Sequence, residues 1–522
     1  MIQGPDVTAD VPASEADSAD VAALVTRHIR GSSLMLVGRV MAISVGFLTQ
    51  VIVVRHLVKS DYGAFAYALS AALLLQSVLA LGADRTDTRF LALYEHQRDH
   101  ARLLGVIVFE AATILALGTA AVATLWAFRT PLLGSSAGAS AGTGVFVVLI
   151  ALAPIQALDW MVINVFAVFA SPWSVFFRRY VLEPGLRLLV AVALVVTGAG
   201  VTFLAVGYLA AGVAGLALYL VLLVRLLRKR GFLPRLSLPH VIIPARELLA
   251  FSLPLLFTNL VAVAGTELAA VALGHYRDAS EVASFRAVQP FAAVNLVVMF
   301  SFSTLFTPAA ARLQARGNTA ALRELYWKSA CWVAVLTFPV LCVTTALAHQ
   351  VTVDAIGERY AGSAVYLALL AIGFYVNAAF GFNGITLQML GRGRYVLVMN
   401  VVVLGWLVGA NLLLVPRWGA MGAAVAVLST IVVHNIGKQA GLGFGSGIGI
   451  FDARHAGVLA TVVVTAAALN ALTLVVHTPL AVGLFVVAGV TAVMVRILGP
   501  TLDLRGTLPE LARLPIVRWL LG

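Results

Sequence analysis

The sequence predicts an all-α polytopic membrane protein, with fourteen transmembrane helices in two six-helix lobes forming a parallel pseudo-repeat and a C-terminal helix pair. Three observations predict it. Fourteen apolar stretches, each long enough to cross a bilayer, follow one another through almost the whole chain, in a composition 61% hydrophobic and 11% charged. The basic residues between them alternate from rich to poor. A short pattern at the start of the second stretch returns at the start of the eighth.

A hydrocarbon core about 30 Å thick takes about 20 residues of helix at a rise of about 1.5 Å each. Residues 1–31 precede the first such run; Asp6, Asp10, Glu15, Asp17 and Asp20 with no basic residue among the first 20 give a disordered cytoplasmic tail rather than a signal peptide. The N-lobe, 32–224, holds spans at 34–56, 62–82, 104–127, 144–168, 183–199 and 201–224. A basic, proline-broken linker, 225–246, joins it to the C-lobe, 247–438, with spans at 247–271, 282–307, 329–348, 363–389, 396–414 and 420–437. Alternating Gly441, Gly443, Gly445, Gly447 and Gly449 suggest a flexible hinge over 439–455. The last pair, 456–476 and 480–497, lies in 456–498, and 499–522 reads as a surface-lying amphipathic segment or as a tail frayed by Pro509 and Pro515. Runs such as Val401–Leu404 do not alternate in polarity, which excludes a barrel.

Lys and Arg are retained on the cytoplasmic side of short loops. With both termini inside, 27 of the 35 basic residues flank cytoplasmic ends, seven (Arg55, Lys59, Arg129, Arg277, Arg286, Arg359 and Arg417) lie outside, and Arg39 lies within the first span. The net charge of +12 is dispersed over loop flanks, so anionic phospholipid rather than nucleic acid is the expected partner. Cys331 and Cys342 sit about 16 Å apart along one helix and cannot bridge each other there. Polar connections of about twenty residues are too short for a soluble catalytic domain, and there is neither a nucleotide-binding Gly-rich loop nor metal-ligand spacing. No cofactor and no metal are expected. A channel, a transporter or a membrane-embedded transferase remains.

Asp61-Tyr62-Gly63-Ala64-Phe65 and Glu281-Val282-Ala283-Ser284-Phe285 both follow an outer connection and stand 220 residues apart, which suggests two parallel six-helix repeats with a pathway between them. The Tyr62-Gly63-x-Phe65-x-Tyr67-Ala68 run, Gly82 with Arg89 seven residues on, and Phe251-Ser252-Leu253-Pro254 then complete a likeness covering nearly all the chain. The chain resembles the polysaccharide exporters of the multidrug, oligosaccharidyl-lipid and polysaccharide (MOP) exporter superfamily. That resemblance implies a flippase moving undecaprenyl-(di)phosphate-linked oligosaccharide across the bacterial plasma membrane by alternating access, with a polyprenyl-linked glycan as ligand and envelope glycan synthesis proteins as partners. A multidrug cation antiporter on the same scaffold and a polysaccharide polymerase or ligase are the alternatives.

An anionic headgroup needs a hydrated, cationic gap between lobes, and ionisable groups inside spans are costly unless they face a cavity or a partner. Arg39 is a cavity cation or snorkels to the inner interface. Arg286 meets the headgroup or pairs with Glu267 inside its lobe; Arg55 binds ligand or anchors the outer interface; Arg89 matches the family motif or anchors the inner one. Asp159, Glu110 and Glu267 bind a coupling proton or Na+, or pair with arginines. Gln50, Asn164, Gln289, Asn295 and Asn377 bond sugar hydroxyls or pack helices together.

Overall fold

A computed structural model describes residues 37–128, 140–169, 172–231, 241–446, 448–449, 452–476 and 478–502. The N-tail expected over 1–31, Gly447 and nearly all of the expected C-terminal tail lie outside them. The described residues are mostly helical and include no strand, and thirteen of their helices are long and apolar enough to cross a membrane. The first half comprises α1 (Val37–His56), α2 (Lys59–Leu79), α3 (Ala83–His96), α4 (His100–Ala127), α5 (Gly142–Phe169), α6 (Trp173–Thr197) and α7 (Val201–Lys229). The second comprises α8 (Ala245–Tyr276), α9 (Ala279–Ala315), α10 (Thr319–Thr345), α11 (Ala348–Ile356), α12 (Glu358–Met389) and α13 (Gly393–Phe444), followed by α14 (His455–Thr473) and α15 (Leu480–Gly499). Short α3 and α11 are the two that do not qualify as spans.

A straight helix the length of α13 would run about 78 Å, more than twice the hydrocarbon thickness. It folds back instead. Gly419 has φ +53°, and a Cβ on Gly422 would lie 2.3 Å from the Leu414 carbonyl oxygen, eight residues back. Tyr395 donates its hydroxyl to the Gly437 carbonyl at 2.6 Å and Trp406 Nε1 donates to Ser429 Oγ at 3.2 Å, so the two arms run side by side and correspond to the eleventh and twelfth spans of the sequence. Two charges from the α8–α9 junction hold the turn. Arg277 Nη2 donates to the Pro416 and Arg417 carbonyls at 2.9 and 3.2 Å, closing the first arm, and Glu281 accepts from the Ala420 N–H at 2.8 Å, opening the second. Each charge matches the partial charge of the helix end it meets. A side chain at Gly419 would strike Glu281.

Helices outrun the predicted spans where the sequence turns polar. The connection 83–103 contains α3, held to the N-lobe by Asn164 donating to Asp87 at 3.0 Å and by Arg230 bridging Glu95 and the Phe169 carbonyl at 2.7 Å each. The fifth span begins ten residues early, through the π-helical turn Phe177–Leu182, which carries Arg178 and Arg179. In α9, a short 3-10 segment at Val294–Leu296 follows Pro290, whose missing N–H weakens the α ladder there. Gly441 and Gly443 correct the hinge expectation: both lie within the helix, and Gly441 is small because Tyr395 packs 2.1 Å from where its Cβ would stand.

Within the first half α5 packs on α2, α3 and α7, and α6 on α7; within the second, α8 packs on α13 and α12 on α10 and α13, while α14 and α15 lean on α10. The halves meet where α2 runs antiparallel to α8 and crosses the start of α9. Glycines let these backbones approach: a Cβ on Gly63 would lie 1.7 Å from the Ala279 carbonyl, one on Gly274 2.0 Å from the Tyr67 ring, and one on Gly82 2.9 Å from the Ser252 carbonyl. One apolar core therefore runs through both halves, from Phe65 and Leu79 to Phe285, Leu370 and Val427.

Candidate functional site

On the face that the basic residues assign to the outside, the two halves clasp by capping each other's helices. Arg55, at the end of α1, donates Nε to the Ala355 carbonyl at 2.8 Å and Nη2 to the Asp354 carbonyl, both in the last turn of α11. Arg359 returns the contact, donating Nη2 to the Arg55 carbonyl at 3.0 Å and to the Val54 carbonyl in the last turn of α1. Guanidinium groups thus satisfy helix C-terminal carbonyls that have no partner within their own helix. Lys59 reaches the Arg359 carbonyl at 3.4 Å, and both cations lie over the Tyr360 ring.

Below the clasp, four of the sequence candidates come together. Arg286 pairs with Glu267 at 3.1 Å and donates to Gln289 Oε1 at 2.5 Å, while Gln289 Nε2 donates to the Thr266 carbonyl at 3.0 Å. Across the seam Gln50 donates to the Tyr62 hydroxyl, which lies within electrostatic reach of Arg286 and Glu267. Gln50, Glu267, Arg286 and Gln289 thus form one polar cluster in the plane where the halves touch.

The first half buries a second ionic group. Arg178 is 3% exposed and holds Asp159 at 2.7 Å through Nη2 and 2.9 Å through Nε. A Cβ on Gly215 would stand 2.8 Å from Arg178 Nη2, so the guanidinium fits only because that position is glycine. These groups border a cavity of about 360 Å³ shared with Gln156, Tyr208 and the Glu183–Arg187 pair, which is closed at 2.7 Å. Asp159 therefore has its partner within the lobe. Arg178 and Arg187 stand inside, not on the inner flank where a count of loop charges puts them.

A second cavity, about 380 Å³, opens at the inner end of the seam between α2, α3, α4 and α8, lined by Thr86, Asp87, Glu110, Leu248 and Ser252 among others. Thr86 and Ser252 hydroxyls meet across it at 3.0 Å, and Tyr94 donates to Glu247 at 3.2 Å nearby. Burial first, then the Glu247 charge, raises the Tyr94 hydroxyl above its ordinary range and keeps it a donor. Arg89, exposed on α3, lies 4.5 Å over the Phe251 ring of α8. Glu110 thus faces the inner end of the seam, as Glu267 lies in the cluster farther along it, and Asn164 is spent on Asp87.

The cationic gap expected between lobes is in neither cavity: one is charge-balanced and the other carries two carboxylates with no Lys or Arg in its lining. Unpaired positive charge lies at the edge of the seam instead. Arg39 is exposed in the first turn of α1, has no carboxylate partner among the described residues, and stacks 4.0 Å over Phe300 of α9 in the other half. Arg179 of α6 is within electrostatic reach and packs 4.6 Å over Trp160. Gly38 lets α1 lie against the Phe176 and Tyr180 rings. Asn295 and Asn377 sit apart from all of this, in the second half: Asn295 donates to Thr344 Oγ1 at 3.1 Å, and Asn377 accepts from Asn435 at 3.1 Å. Sequence reasoning missed Asp87, Arg179 and Arg359 as seam residues. The signal for Arg359 was available, since an arginine kept on the basic-poor side needs a structural reason.

Residues 29–314 match the polysaccharide biosynthesis protein family. The chain belongs to that family. No curated protein matches this family member. Among solved structures, a lipid II flippase MurJ in an inward closed conformation superposes with a TM-score of 0.68 at 12% identity, over 91% of this chain and 100% of that one. An inward-facing multidrug resistance MATE transporter of the MOP superfamily superposes at 0.62 and 18%, over 78% and 95%. A MOP superfamily transporter from Pyrococcus furiosus Vc1, described by the reverse polarity of its binding pocket, does so at 0.53 and 19%, over 81% and 96%. At such identities these likenesses establish the fold, that of multi-pass MOP transporters.

Proposed function

We propose that this polysaccharide biosynthesis family member is a flippase carrying an undecaprenyl-(di)phosphate-linked saccharide across the bacterial plasma membrane, not an enzyme, with both termini cytoplasmic. Arg39 carries the reading. A cation in a membrane-spanning helix is costly unless it meets a partner, a polar path or the interface, and Arg39 stands near the inner end of α1. Here it lies within electrostatic reach of Arg179 and against Phe300 of α9, at a position where, in this reading, a polyprenyl tail stays in lipid while its phosphates reach the guanidinium groups. Arg286, held by Glu267, lies farther along the same seam with Gln50 and Gln289, whose bonds to Tyr62, Arg286 and the Thr266 carbonyl would have to be exchanged for bonds to sugar hydroxyls. Glu110, at the inner cavity, is the proposed site of proton or Na+ coupling.

Depletion followed by lipid extraction tests the substrate class: an undecaprenyl-linked saccharide accumulates on the inner leaflet. Asp87 and Glu110, the two carboxylates that line the inner cavity, favour a second reading, a cation antiporter. An unchanged lipid profile with raised sensitivity to cationic dyes selects it.

A further inference from the structure

We propose that Lys438, in the second arm of α13, is an anion site for a phosphoryl group, beside Gly384. Lys438 stands six residues from the inner end of its helix, where a lysine would ordinarily reach outward to the headgroups. It points the other way. Asn383 Nδ2 donates to Asn435 Oδ1 at 3.0 Å, which levels residue 383 with residue 435, and the Lys438 ammonium lies 3.4 Å from where a Cβ on Gly384 would stand. The ammonium is therefore about 3 Å, roughly half a turn, deeper than its own Cα, which is costly for a cation without a counter-charge.

Its surroundings are neutral. His434, one turn earlier on the same face, bonds Asn400 Oδ1 at 3.1 Å, and Asn400 in turn donates to Thr258 Oγ1 at 3.1 Å. Lys438 has no hydrogen bond or ion pair among the described residues, and four carboxylates of this half are engaged elsewhere: Glu267 with Arg286, Glu281 with Ala420, Glu247 with Tyr94, Asp452 with His455. A half-buried ammonium among amides, with no acid to neutralise it, selects an anion over a cation. The proposal rests on the flippase reading only for the source of the phosphoryl group, a lipid-linked carrier rather than free phosphate.

Calorimetric titration of the full-length protein in nanodiscs with undecaprenyl phosphate, and separately with inorganic diphosphate, tests the site. Lys438→Gln is expected to weaken both about tenfold or more, with Lys438→Arg close to wild type. Gly384→Val, which fills the space over the ammonium and leaves the charge in place, is expected to weaken them as well and stands in if Lys438→Gln does not fold. Lys438-dependent binding of diphosphate without binding of the carrier keeps the site and removes the lipid-linked source. Unchanged affinity in both Lys438→Gln and Gly384→Val, or no binding of either probe by the wild type, overturns the proposal.

Discussion

The two ends of the seam between the halves are built from different chemistry. At the outer end, Arg55 and Arg359 cap each other's helices with charged donors, and Gly63 presses backbone against backbone. At the inner end, a hydroxyl pair, Thr86 with Ser252, and a single Tyr94–Glu247 bond border an open cavity with two carboxylates. Charge-assisted bonds are worth about twice neutral ones. The outer end, with four guanidinium donations against the one bond from Tyr94 to a carboxylate at the inner end, is therefore the stiffer closure, and the proposed alternating access requires its interactions to be exchanged for others.

The largest expected effect breaks that asymmetry. Replacing Arg55 and Arg359 together by Ala removes charged bonds worth about 1.5 to 3 kcal/mol each and leaves helix-end carbonyls without protein partners. Spin labels at Ser60 and Glu358 are expected to move from one short distance to a dominant long one; an unchanged distribution would show that the clasp does not hold the outer end. Asp159→Ala sharpens the comparison from outside the seam. It strands buried Arg178 and is expected to cost about 3 to 5 kcal/mol, seen as a lower Tm, while the label distances stay as in wild type.

Gly63→Ala is expected to act at the outer end alone, costing about 1 to 3 kcal/mol by overpacking and lengthening the same spin-label distance. The smallest effect belongs to Ser252→Ala at the inner end, about 1 kcal/mol, detectable as faster hydrogen exchange in α3 without change outside. A larger inner than outer response would reverse the order of stiffness.

Hydropathy and the basic-residue rhythm made the spans legible, because crossing a bilayer constrains each segment locally. Pairing is different. Arg55 meets Asp354 and Ala355 some 300 positions away, and no local pattern encodes which face of α1 meets α11. The count of loop charges also misplaced Arg178 and Arg187, since a flank cation and a buried one look alike when Asp159 and Glu183 are not yet known to be adjacent. The Arg286–Glu267 pair was legible because both lie at the same depth on consecutive antiparallel helices, and Arg277 and Glu281 show why a few charges persist on the basic-poor side: they finish helix ends. The two arms of α13 were read as separate spans because Pro416 to Gly419 interrupts an otherwise apolar run.

The most direct test of the central claim, that Arg39 receives an anionic lipid-linked headgroup at the edge of the seam, is transport of a labelled undecaprenyl-diphosphate saccharide in proteoliposomes by wild type and Arg39→Ala. The account predicts flipping by the wild type and a loss of about tenfold or more in a variant that inserts and melts normally. Equal rates in the two proteins, or no flipping by the wild type, would contradict it.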